Sequence, residues 1–194
     1  MKLFNYIFIL FLALVFIACD KYVPKPSGYF RIDLPEQNYV RLTQFDEFDC
    51  LVSDNANIRQ ASDYDINNKE GKYFNIYYPS LNAEIFCSYI PLKNKNVIDL
   101  LEESRKFVYL HTIKADAISE NIFVDDSERV CSTVYNIKGD VASPTQFIIT
   151  DSIKSFFRGA LYFVNDVPIQ DSIAPVLEYV NEDIKVLIES FRWK

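Results

Sequence analysis

From residue 28 the chain alternates apolar and polar positions with the period of two that a half-buried strand needs. GYFRIDLPE (28–36) reads as a first strand closed by Pro35, and FDCLV around Cys50 as a second. NANIRQASDYDINNKEG (55–71) interrupts the alternation with Asn and Asp and reads as a loop with at most one helical turn. KYFNIYYP and AEIFCSYIPL alternate again, and residues 79–82 between them predict a hairpin. At Val97 the period lengthens: Val97, Leu100, Leu101, Phe107, Val108, Leu110 and Ile113 share one face of a helix running to about Ala117. ISENIFVDD, ERVCSTVYNIKGD, TQFIITD and KSFFRGALYF then return to strand spacing. With turns at 138–140 and 151–152 they predict a meander of four strands.

The closing segment is the clearest helix. Ile173, Val176, Leu177, Val180, Ile184, Leu187, Ile188 and Phe191 form a single apolar stripe. Asp171 or Ser172 can cap its start, and Pro175 falls in or near the first turn, where a missing N–H costs little. A one-sided helix must cover a sheet face. One or two helices packed on one side of an antiparallel sheet is the economical architecture, so the expected fold class is α+β, a mostly antiparallel sheet with an internal helix and a C-terminal helix packed on it.

The first nineteen residues, MKLFNYIFILFLALVFIAC, follow neither period. Their apolar run from Leu3 to Ile17 falls short of the roughly 20 residues of a bilayer span. With Lys2 ahead of it and Ala18 behind, it reads as a secretory signal peptide. Cys19 directly after the small residue gives it the form of a bacterial lipoprotein signal, in which the thiol is diacylated and the chain is cut before Cys19. Phe16 stands where leucine is usual, and the competing reading is an unprocessed anchor helix. Acyl chains would anchor the protein at about 0.8 kcal/mol per buried CH₂. Pro24 and Pro26 then force an extended linker, whose eight residues at roughly 3.1 Å each reach about 25 Å. The expected organisation is a lipoprotein signal peptide at 1–18, the lipidated cysteine and linker at 19–27, and one α+β domain at 28–194.

Composition narrows the function classes. A formal charge of −7, with no run of five like charges, argues against nucleic acid or bare anionic lipid as a partner. Four glycines in 194 residues leave little material for a nucleotide cradle. Cys50, Cys87 and Cys131 lie far apart without CxxC spacing, which supports neither a zinc cage nor a disulfide framework, although an oxidising envelope would allow one pair to bond. No cofactor is expected.

A proton shuttle near neutral pH would use His111, the single histidine, in HTIKADAI. On a helix Lys114 neighbours it at i+3, whereas Asp116 at i+5 points elsewhere and cannot orient the imidazole. His111 is thus read as a residue of a helix end, with an envelope hydrolase using it as the opposing hypothesis. Arg158 is the second candidate. Alternation in SFFRGALYF sets Phe156, Arg158, Ala160 and Tyr162 on one face and Phe157, Gly159, Leu161 and Phe163 on the other. An arginine among aromatics suits a binding surface. Arg158 and Tyr162, with Lys138 in the KGD turn, are the candidate partner-binding residues, and the tyrosine-rich YFNIYY leaves a periplasmic ligand-binding module open.

Several stretches, taken in order, resemble one family: Cys19 in its lipobox, YVPKPSGYFRIDLP at 22–35, HTIKADAI at 111–118, YNIKGDVASPTQFIITDS at 135–152, FFRGALYF at 156–163 and the closing SFRWK. They are similar to the gliding motility lipoproteins GldD of Bacteroidota. The resemblance implies a cell-envelope lipoprotein with no enzymatic activity. It would be held to a membrane by lipid on Cys19, with its domain in the periplasm, and be needed for gliding and the associated type IX secretion machinery as an accessory, assembly or stabilising subunit. Its partners would be other proteins of those machineries. In fold, the order of hairpin, helix, meander and C-terminal helix is similar to the Mog1 and PsbP-like domains.

Overall fold

A computed structural model describes residues 32–60, 71–93, 95–163 and 170–194, apart from the side chains of His111, Thr112, Gln170, Asp171 and Ser172. The expected signal peptide, Cys19 and the expected linker lie outside the described residues.

The described residues form two antiparallel sheets. β1 (Tyr39–Leu42) and β2 (Phe48–Ser53) pair with each other. β3 (Asn57–Gln60), β4 (Lys72–Tyr78), β5 (Ala83–Pro91), β6 (Ala115–Asp125), β7 (Val130–Gly139), β8 (Thr145–Thr150) and β9 (Ser155–Phe163) build a seven-stranded sheet in the order β3-β4-β5-β9-β8-β7-β6. β10 (Arg192–Trp193) completes the small sheet beside β2. Among the described residues the helices are α1 (Val97–Tyr109) and α2 (Gln170–Glu189). The expected α+β architecture, hairpin and four-stranded meander are all present.

Both helices pack on the large sheet as expected, and of the one or two expected on one side, one lies there and the other covers the opposite face. The reason is that the central strands are apolar on both faces: β8 is buried at every position, and Phe156 and Phe157 of β9 are both 0% exposed. Ile149, Phe157 and Leu161 belong to the core that includes α2, whereas Ile148 and Phe156 pack with Val108 of α1.

The α2 face holds the main core. Phe48 of β2, Phe157 of β9 and Phe191 after α2 form a closed triangle with ring centroids 5.2–5.3 Å apart. Each fully buried phenylalanine contributes about 1.5–3 kcal/mol. Gly159 lies where the Phe147 ring rests on the strand, and any Cβ there would collide with that ring. SFRWK closes this core. Ser190 Oγ accepts from the Leu51 N–H at 2.8 Å, Arg192 pairs with Glu128 at 3.3 Å, and the Lys194 N–H donates to the Glu47 carbonyl.

Four local expectations are corrected. GYFRIDLPE forms no strand over its described residues 32–36; the first strand starts at Tyr39, beyond Pro35, which cannot donate to a ladder. Within the predicted loop, residues 57–60 form β3, because they pair with β4 and Arg59 lays its guanidinium over the Tyr77 ring at 3.4 Å. The predicted turn at 138–140 starts later, since Lys138 and Gly139 still pair within β7. Pro175 lies in the second turn of α2, not the first. Cys50, Cys87 and Cys131 are free thiols; burial pushes Cys50 up to about 12 and Cys87 well above its ordinary value, which leaves both as inert packing groups.

α1 also ends earlier than expected. Asn96 caps it, Oδ1 accepting from the Ile98 N–H at 3.1 Å, and the helix gives way after Tyr109 to a 3₁₀ turn, Leu110–Ile113. Leu110 and Ile113, assigned by periodicity to the buried stripe, are 71% and 93% exposed. His111 therefore sits in the 3₁₀ turn, and the rest of HTIKADAI enters β6 through a bulge between Ala115 and Ala117. Gly139 lies against that bulge with φ +124°, and a Cβ there would strike the backbone of Lys114 to Asp116. HTIKADAI and the KGD stretch are thus two halves of one backbone contact.

Candidate functional site

On the α1 face, alternation and register set two rows of side chains across the sheet. One runs Asn75, Phe86, Ala160, Gln146, Tyr135 over β4, β5, β9, β8 and β7. The next runs Tyr73, Ser88, Arg158, Ile148. α1 packs beside them, and between its Ser104, Phe107 and Val108 and the first row lies a cleft of about 560 Å³. Pockets of roughly 300–1,000 Å³ are the usual size for small ligands. Ala160 makes the hollow, because it alone is small in a row of aromatics and long amides. Phe86 and Tyr162 meet edge to face at 5.3 Å along its rim.

Arg158 supplies the cationic lining. Its Nε–H donates to Ser88 Oγ at 3.1 Å, the Phe107 ring lies 5.1 Å from the guanidinium carbon, and Glu103 approaches Nη1 at 3.6 Å. Nη1 is buried with no hydrogen bond, and so is Ser104 Oγ, whose residue is 6% exposed. Buried polar atoms in this state cost free energy that a partner would recover. Burial raises the Tyr135 phenol above its ordinary value, so it enters as a neutral hydrogen-bonding group.

The structure brings Arg158 and Tyr162 together in this cleft, on the face that strand alternation predicts. Lys138 is not with them: Tyr135 and Ile137 of β7 face α1, so Lys138 points to the other side, exposed. His111 remains a backbone position in the 3₁₀ turn. Ser104, Gln146 and Phe107 escape the sequence reading. Phe107 carries the signal of a core position, and the register that sets Gln146 beside Ala160 has no trace in a single sequence. Among the described residues no group of three His, Cys, Asp or Glu could hold a metal, and no helix is long and apolar enough to cross a membrane.

With that geometry in hand, the comparison with known families is specific. The family described as gliding motility lipoprotein GldD matches residues 19–193. The chain belongs to this family. The match starts at Cys19, the residue expected to carry the lipid, and ends one residue short of Lys194. Membership makes the chain a gliding motility lipoprotein, anchored to a membrane of the cell envelope. No curated protein matches the chain.

Proposed function

We propose that this lipoprotein is a non-catalytic accessory subunit that stabilises or assembles the gliding apparatus and the type IX secretion machinery associated with it. Diacylation of Cys19 holds it to the membrane, and the domain works in the periplasm. Membership of a gliding motility lipoprotein family supports the process. The observation that carries the binding role is the Arg158 cleft, where aromatic rings, neutral amides and one guanidinium provide contacts for holding a partner group.

Deleting the gene tests this reading, with colony spreading and type IX cargo secretion as readouts. Loss of both, restored by the wild type and equally by His111→Ala, is the expected result. Normal spreading and secretion in the deletion strain would contradict it. Failure of His111→Ala, with normal protein levels, would favour the hydrolase reading instead.

A further inference from the structure

We propose that the cleft between α1 and the large sheet binds a carboxylate carried next to an aromatic or branched apolar group, as the last residue of a peptide presents it. The inference deepens the accessory reading by giving its binding face a ligand chemistry.

Charge selects the ligand's head group. Arg158 carries five N–H donors in a planar fork that matches a carboxylate, yet while Nε–H is hydrogen-bonded, the buried Nη1 is not. Ser88 fixes the guanidinium through that one bond and Phe107 stacks on it, so its orientation is set before any ligand arrives. Glu103 stays at 3.6 Å with half its side chain exposed, beyond hydrogen-bonding distance. It offsets the positive charge without satisfying it.

The second, independent observation is Ser104. Its hydroxyl lines the cleft, is more than nine-tenths buried and has no partner, so a donor is held ready for an acceptor. The hollow above Ala160, walled by Phe86, Tyr162 and Phe107, then takes the apolar group adjoining the carboxylate. Gln146 beside it offers an amide that can bond to a peptide link or a second polar group.

Calorimetric titration of the full-length, detergent-solubilised lipoprotein tests the site. The probes are acetyl-Ala-Ala-Phe with a free C-terminal carboxylate, the same peptide as its C-terminal amide, and 3-phenylpropionate. The free-acid peptide is expected to bind, and the amide to bind roughly tenfold weaker or less, because a charge-assisted hydrogen bond is lost. Arg158→Gln should weaken the free-acid peptide by a similar factor. Ala160→Leu, which fills the hollow from an open position, should abolish binding while the melting temperature stays unchanged. Glu103→Gln should tighten binding by removing a competing carboxylate. Binding of 3-phenylpropionate as tight as that of the peptide identifies a free acid as the ligand source, and weaker binding identifies a peptide end. Equal affinity for acid and amide, indifference to Arg158→Gln and Ala160→Leu, or no heat from either acid at millimolar concentration would overturn the proposal. An empty cleft would leave the deletion phenotype and the accessory reading standing. Normal spreading and secretion on deletion would remove that reading while leaving a measured affinity intact.

Discussion

The two faces of the seven-stranded sheet are built from the same strands and do opposite things. On the α2 face, Phe48, Phe157 and Phe191 leave no polar group at their centre, and β2, α2 and the closing SFRWK shut the layer from water. On the α1 face a shorter helix covers less of the sheet and leaves a hollow with a half-satisfied arginine beneath it. Successive residues of one strand, Phe157 and Arg158, serve the two purposes. The difference teaches that close packing is concentrated on one side, which frees the other to keep an open hollow lined by a charged side chain.

Four substitutions sharpen that contrast; chemical denaturation measures three of them, and thermal melting against pH measures Asp183→Asn. Phe157→Ala should cost most, about 3–5 kcal/mol, since it opens a cavity where three rings meet. A loss below about 1 kcal/mol would show that the triangle is not the centre of the core. Gly139→Ala comes next, at about 1–3 kcal/mol, from forcing a Cβ into φ +124° against the bulge of β6.

Asp183→Asn should act through pH. This buried residue of α2 accepts hydrogen bonds at Oδ1 from Gln37 Nε2 and Tyr39 OH, both at 3.0 Å, while Oδ2 has no partner of normal geometry. Burial raises its pKa, and the hydrogen-bonding groups of Tyr39, Tyr78, Gln37 and Ser53 oppose that only in part. The native state then holds the proton more tightly than the unfolded chain, whose aspartates titrate near about 3.9. Wild-type stability falls as pH rises from there through the raised native value, and the penalty is fully present above it. The asparagine keeps an acceptor for Gln37 and Tyr39 and never ionises. The variant should therefore melt at or above the wild-type temperature at pH 7, with the advantage shrinking as pH falls through the raised native value and gone below about 3.9. A lower melting temperature at pH 7 would contradict this.

The smallest effect belongs to the other face. Arg158→Gln should change stability by less than about 1 kcal/mol, because its ion pair with Glu103 is loose and half exposed. A large loss would make Arg158 a structural residue and erase the contrast between the faces.

Much of this was legible in the chain, for physical reasons that particular elements show. The β4–β5 hairpin, the β6–β9 meander and α2 each carry an uninterrupted period, and local pattern alone specifies them. β3 escaped because a polar segment becomes a strand only when an edge is there to pair with, and that edge is supplied by β4. The expected helix to about Ala117 overran α1, which ends at Tyr109, because apolar spacing persists through Leu110 and Ile113 after the backbone has left the helix. The placement of the two helices on opposite faces follows from β8 being buried on both sides, which an apolar run as short as FII, framed by polar residues, does not distinguish from a one-sided strand. Of the cleft, alternation in SFFRGALYF gives Arg158, Ala160 and Tyr162 a common face. The partners on β5, β8 and α1 are set by tertiary register alone.

The most direct test of the account is complementation of a deletion strain by Ala160→Leu, scored by colony spreading and type IX cargo secretion at matched protein levels. The account predicts a protein that accumulates and melts like the wild type yet restores neither spreading nor secretion. Full restoration of both would show that the α1 face is not where this lipoprotein meets its partner.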